Sequence, residues 1–175
     1  MKFTLFIAAI FLGLGCTSSP TNSSSGRTPN TPAPDFTHTS LGGEEFTLSD
    51  FRDKVVYLFF YGAGCPHCRS NGPVTETSIH QRFESNPDFV ALGLDTWNLS
   101  SSDNQSFRNV TGITYPLLLQ ARQTLVNYYG SSSAYDRSVV VNRNGTIVYQ
   151  GTGFVNTDTD AVVSAIEQAL SELGE

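Results

Sequence analysis

The sequence predicts an α/β domain built on a central mixed β-sheet flanked by helices, and three observations carry that expectation. Residues 54–61 (KVVYLFFY) are a continuous β-branched and aromatic run, the pattern of a strand buried on both faces in a partly parallel sheet. Strand-like and helix-like segments alternate along most of the chain. Near its end, Asn142-Arg143-Asn144-Gly145 separates two short apolar runs, a strong hairpin signal.

In chain order, Phe46-Thr47-Leu48 reads as a short strand, and Ser49 can cap a turn of helix into Phe51. After the 54–61 strand, Gly62-Ala63-Gly64 breaks the pattern. Pro66 suits the first turn of a helix, expected over 66–85 with Val74, Ile79 and Phe83 facing inward. Residues 89–94 (FVALGL) give the next strand, and Ser102 or Asp103 opens a second helix. Residues 115–119 form a third strand and 120–129 a third helix. Residues 138–141 and 146–149 are the hairpin strands. Over 158–173, Val162, Ile166, Ala169, Leu170 and Leu173 fall on one helical stripe. The order is β-α-β-α-β-α-β-β-α.

The 175 residues leave room for one such domain and an appendage. The appendage lies at the start. Lys2 precedes a short apolar stretch, residues 3–14, that is too short for a bilayer-spanning helix and reads as a secretory signal. Gly15-Cys16 closes it in the manner of a lipoprotein signal, with Cys16 as the expected lipidated residue. Two acyl chains on Cys16 would anchor the protein stably to a membrane. Of the eighteen residues from Thr17 to Pro34, all but Arg27 and Ala33 are Ser, Thr, Pro, Asn or Gly, a composition that cannot offset its ordering entropy. Residues 1–15 are thus expected as signal, 16–34 as a lipidated tether and 35–175 as the folded domain. With 10 Lys and Arg against 16 Asp and Glu, the formal charge of −6 and the lack of any basic run argue against nucleic-acid binding.

The chemistry gathers in Gly64-Cys65-Pro66-His67-Cys68-Arg69. At a helix opening this spacing lets Cys65 and Cys68 share one face. The unpaired N–H groups and the macrodipole there stabilise an anion, so Cys65, expected partly exposed, should have a lowered pKa and supply the attacking thiolate. His67, when protonated, adds to that effect. Cys68, one turn inward, is the expected resolving thiol. Three other readings of the pair stand beside this one. It could be half of a zinc site, although no second cysteine pair exists and His38 and His80 offer no ligand spacing. It could be a structural disulfide, although so small a loop removes little chain entropy. It could serve peroxide chemistry, although position 62 is Gly where a peroxiredoxin has Thr.

Residues 33–173 resemble the thioredoxin-like redoxin family, in particular the exported thiol–disulfide oxidoreductases of the TlpA/ResA type. The likeness is carried by Ala33-Pro34-Asp35-Phe36, by Leu48-Ser49-Asp50-Phe51-Arg52 ahead of Lys54-Val55-Val56, by Phe60 through Arg69, by Pro73, and by Asn142 through Val148. The resemblance implies a thioredoxin-like fold in the cell envelope, with Cys65 as nucleophile, Cys68 as resolving cysteine and a redox-active disulfide between them. It implies no cofactor or metal. The expected partners are protein thiols and disulfides, with a membrane electron-transfer partner, and the chain is expected as a monomer. Pro66 and His67 tune the thiolate, with Arg137 as a further candidate. The sequence departs from the family at three places. Gly64 stands where an aromatic is usual. Asn71 stands where some relatives carry Glu and residues 55–61 hold no carboxylate, so no buried base for Cys68 is identifiable. Asp136, followed by Arg137, falls where the family has its cis-proline.

Overall fold

A computed structural model describes Gly26, Arg27 and residues 29–172. The expected signal, Cys16 and residues 17–25 of the expected tether lie outside the described residues. Two short strands come first, β1 (Gly26–Arg27) and β2 (Thr31–Pro32), followed by a hairpin of β3 (Thr37–Thr39) and β4 (Glu45–Thr47) and a 3-10 turn at Leu48–Phe51. Next come β5 (Val55–Tyr61), α1 (Pro66–Val74), a π-helical turn over Thr75–His80, α2 (Gln81–Phe83) and β6 (Phe89–Asp95). The chain continues through α3 (Ser101–Thr111), β7 (Leu117–Leu118) and α4 (Arg122–Tyr129), and ends in β8 (Arg137–Val141), β9 (Thr146–Gly151) and α5 (Val155–Ser171).

The main sheet runs β1-β9-β8-β5-β6-β7, with β2 also on β9. Strands β5, β6 and β7 are parallel, while β8 and β9 are antiparallel, so the sheet is mixed as expected. Strand β5 is central, and its unbroken apolar sequence follows from having two cores to fill. Val55, Tyr57, Phe59 and Tyr61 enter one cluster with Ile79, Phe107, Val162 and Ile166. Val56, Leu58 and Phe60 enter the other with Phe36, Leu48, Leu125 and Tyr128. Helices α1, α3 and α5 therefore cover one face, and α4 with the N-terminal segment covers the other. The hairpin turn is fixed by the Asn142 side chain, which accepts the N–H groups of Asn144 and Thr146, and by Gly145 at φ 73°.

Three local differences from expectation have physical causes. The segment read as one helix over 66–85 widens into a π-turn after Pro73, which has no N–H for the helical ladder. Strand β7 covers two residues rather than five, because the chain meets β6 there only at Gly93 and Leu94. Gly26–Arg27 and Thr31–Pro32, within the segment expected as tether, lie as strands along β9.

Candidate functional site

The turn from β5 into α1 sets the two thiols side by side. Cys65 is the N-cap of α1, with Pro66 at the first helical position, where a missing N–H costs nothing. The Cys65 sulfur accepts the backbone N–H of Cys68 at 3.2 Å, so a helix N-terminal donor points at it. The Cys68 sulfur accepts the N–H of Gly62 at 3.5 Å. Both cysteines are free thiols. Burial pushes the Cys68 thiol far above the ordinary range, and its hydrogen bond to Cys65 acts in the same direction, against the Gly62 N–H.

Cys65 differs from expectation in one respect: it is 1% exposed rather than partly open. Trp97, from the loop between β6 and α3, lies over the turn that leads into it. Its indole lies so close over the β5–α1 turn that a Cβ on Gly62 would fall 2.5 Å from it, and one on Gly64 3.2 Å. Gly64 thus gives up the aromatic usual before the first cysteine to make room for an aromatic from another loop. Tyr135 meets Trp97 edge-on at 5.2 Å. Asp95, at the end of β6, fastens this arrangement. Its carboxylate accepts the N–H groups of Ala63 (3.3 Å), Trp97 (3.2 Å) and Leu99 (2.8 Å) and the amide of Asn104 (3.0 Å). The Asn104 carbonyl takes the Tyr61 hydroxyl at 2.7 Å. The sequence reading assigned Asp95 and Asn104 no part; an Asp closing a buried parallel strand was the available signal.

His67 is exposed and stacks on Phe154, just ahead of α5, with ring centres 4.9 Å apart and 12° between planes. The guanidinium of Arg137 sits 5.3 Å from the same ring. It also donates to the carbonyls of Tyr135 and Asp136, each at 3.0 Å. The fold therefore brings His67 and Arg137 to one aromatic ring, and the hydrogen bonds of Arg137 go to backbone carbonyls.

No cis peptide occurs among the described residues, and Asp136 instead takes a left-handed conformation, φ 58°. Its N–H donates to Phe60 O at 2.7 Å, which ties this corner to β5. The side chain is buried. Oδ2 accepts the Asn71 amide at 2.7 Å, and Oδ1 has no partner. Burial raises its carboxyl above the usual range, while Asn71, Arg137, His67 and the N–H of Val155 oppose the shift. A buried carboxylate thus exists near Cys68, contrary to the sequence reading. It comes from the start of β8, whose register sets Arg137 opposite Phe60 and so brings Asp136 beside the thiol turn. Another buried carboxylate, Asp158 of α5, accepts the Tyr149 hydroxyl at 3.0 Å and is pushed up to about 7, chiefly by burial. Among the described residues no group of three or more His, Cys, Asp or Glu is arranged to hold a metal ion.

The Redoxin family model matches residues 28–170. The thiol-disulfide oxidoreductase ResA of Bacillus thuringiensis is 26% identical over 121 residues, 69% of this chain and 68% of that protein. A Mycobacterium tuberculosis protein named as a peroxiredoxin is 31% identical over 137 residues, 69% of this chain and 82% of its own. Among solved structures, a Bacteroides thetaiotaomicron protein described as a protein disulfide isomerase is 31% identical and superposes with a TM-score of 0.69, over 83% of this chain and 90% of that one.

Proposed function

The chain belongs to the Redoxin family, and we propose that it is a thiol–disulfide oxidoreductase of the cell envelope that exchanges disulfides with protein thiols through Cys65 and Cys68. One observation carries the reading: two free thiols at the opening of α1, with the Cys68 N–H aimed at the Cys65 sulfur at 3.2 Å. That donor points at the sulfur that attacks. The Cys65 thiolate attacks a sulfur of the substrate disulfide, forming a mixed disulfide and releasing the first substrate thiolate. Cys68 then attacks the Cys65 sulfur, closes the Cys65–Cys68 disulfide and releases the second. Two electrons pass from the dithiol to the substrate, and the reverse sequence oxidises a substrate dithiol. Pro66 starts the helix that points its N–H groups at the pair, and His67, stacked on Phe154, stands beside it. Cys16 anchors the domain through its lipid, with the residues between it and β1 as the tether, a reading supported by the signal pattern ahead of Gly15.

The experiment is a trapping assay. Reduced protein is mixed with a disulfide-bonded protein substrate, and Cys68→Ser should accumulate a mixed disulfide that Cys65→Ser does not form. Absence of exchange by the wild type would sink the reading. The peroxiredoxin-named relative supports a second one, peroxide reduction at Cys65. Peroxide consumption that outpaces disulfide exchange and is lost in Cys65→Ser would put it first.

A further inference from the structure

The resolving step needs somewhere to put a proton. The Cys68 side chain is buried and its thiol is held in the protonated form, yet the species that attacks is the thiolate. Bulk water does not reach it, so the acceptor has to be within the protein.

Most groups around it are spent or unsuited. Tyr57 and Tyr61 of β5 and Tyr149 of β9 are phenols that burial keeps protonated. Asp95 of β6 has both oxygens engaged by N–H donors. Asp158 of α5, whose Oδ1 is likewise unpartnered, spends Oδ2 on the Tyr149 hydroxyl and is not among the charges that act on Cys68, and Arg137 of β8 and His67 of α1 face Phe154. Asp136 differs. It is fully buried, its charge acts on Cys68, and its Oδ1 accepts no side-chain hydrogen bond, the N–H of Val155 being the one backbone donor that favours its charge. Its Oδ2 is held by Asn71, three residues after Cys68 on the same helix and so on the same face. An Asn at 136 could make an equivalent hydrogen bond without burying a charge, and would take φ 58° as readily. A strained backbone with a buried carboxylate is costly, and that combination concentrates where chemistry requires it.

We propose that Asp136 is the proton acceptor for Cys68 in the resolving step, with Asn71 as its positioning residue. The inference rests on the reading of Cys68 as the resolving thiol. The Cys68 proton passes to the Asp136 carboxylate, and the resulting thiolate attacks the Cys65 sulfur of the mixed disulfide. The Cys65–substrate bond breaks, the Cys65–Cys68 bond forms, and the substrate sulfur leaves with the electron pair. Asp136 then returns the proton to that sulfur and is ionised again. Burial raises its carboxyl, which helps it keep the proton through the exchange, while the hydrogen bond from Asn71 favours the ionised form beforehand.

The test is single-turnover reaction of the full chain with oxidised glutathione, quenched with acid and followed by mass spectrometry. In Asp136→Asn, the mixed disulfide should form within about twofold of the wild-type rate. It should then persist at least about tenfold longer near pH 7, and the titration that the Asp136 carboxyl gives to the wild-type rate should be absent from the variant. The opposite sign is available, because a charge that only repels the Cys68 thiolate would make its removal speed the step. Resolution at the wild-type rate or faster overturns the proposal. Asn71→Ala gives a second measurement should Asp136→Asn fail to fold. Losing its donor raises the Asp136 carboxyl, so the pH midpoint of resolution should move up, and an unmoved midpoint also overturns the proposal. If the wild type forms no mixed disulfide, the oxidoreductase reading falls and takes this proposal with it. If it does and both variants resolve as the wild type does, this proposal alone fails.

Discussion

Trp97 packs on Gly62 so tightly that the smallest side chain at position 62 would overlap the indole, with Cβ 2.5 Å from its nearest ring atom. The contact closes the site from one side, because Gly62 also donates its N–H to the Cys68 sulfur. Gly62→Ala must therefore move the indole or the turn. The expected cost is about 1–3 kcal/mol of stability, together with faster alkylation of Cys65 as the turn beside it opens. Denaturant unfolding and thiol alkylation measure the two effects, and a variant unchanged in both would show that the contact gives way freely.

Because the chain has a single tryptophan, its emission reports this site alone. An indole beside a cysteine pair is quenched more by the disulfide than by the dithiol. Reduction should therefore raise the fluorescence of the wild type, and in Cys68→Ser, which cannot close the disulfide, reductant should have no such effect. Equal emission from the oxidised and reduced wild type would place Trp97 away from the reacting sulfurs in solution.

His67 can be separated from the helix opening by substitution. If its charge, when protonated, favours the thiolate and hence the dithiol, His67→Pro should move the pair toward more reducing potentials, by about 30 mV or more. Phe154→Ala removes the ring on which the imidazole stacks and should give a smaller shift in the same direction. Equilibration with glutathione buffers measures both. An unchanged or more oxidising His67→Pro protein would remove His67 from the tuning of the pair.

The strands and the thiol pair were legible because their signals are local. A seven-residue apolar run has few fates other than a doubly buried strand, and a Cys-x-x-Cys ahead of a helix carries its geometry in its spacing. The arrangement around the thiols was not legible, because it is made by residues distant in sequence. Trp97 reaches Gly62 through the β5–β6 pairing, in which Tyr61 faces Asp95, and Asp136 reaches Asn71 through the antiparallel register of β5 and β8. A carboxylate delivered from the start of β8 leaves no mark within residues 55–61. The π-turn is an intermediate case: Pro73 was visible, but a break in the ladder does not say whether the helix ends, kinks or widens.

Asp158 gives the fold a pH dependence of defined sign. Its carboxyl is raised from the usual 3.8 to about 7, chiefly by burial against the β9–α5 corner, with Tyr149 and Arg137 opposing the shift and Asp136 adding to it. Below about pH 4 the group is protonated in both the folded and unfolded chain, and the native state bears no charge penalty there. Between about pH 4 and 7 the unfolded chain releases the proton while the native state keeps it, so stability falls as pH rises. Above about pH 7 the whole cost is present. The difference between 3.8 and about 7, at about 1.4 kcal/mol per pH unit, limits it to about 4 kcal/mol. Asp158→Asn keeps an acceptor for the Tyr149 hydroxyl without the ionisable group. It should be more stable than the wild type at pH 8, and the advantage should shrink toward pH 4. A gentler slope should remain in the variant, because the Asp136 carboxyl is raised in the same direction. Denaturant unfolding of both proteins between pH 4 and 8 measures this, and parallel curves would show that Asp158 is ionised in the native state throughout.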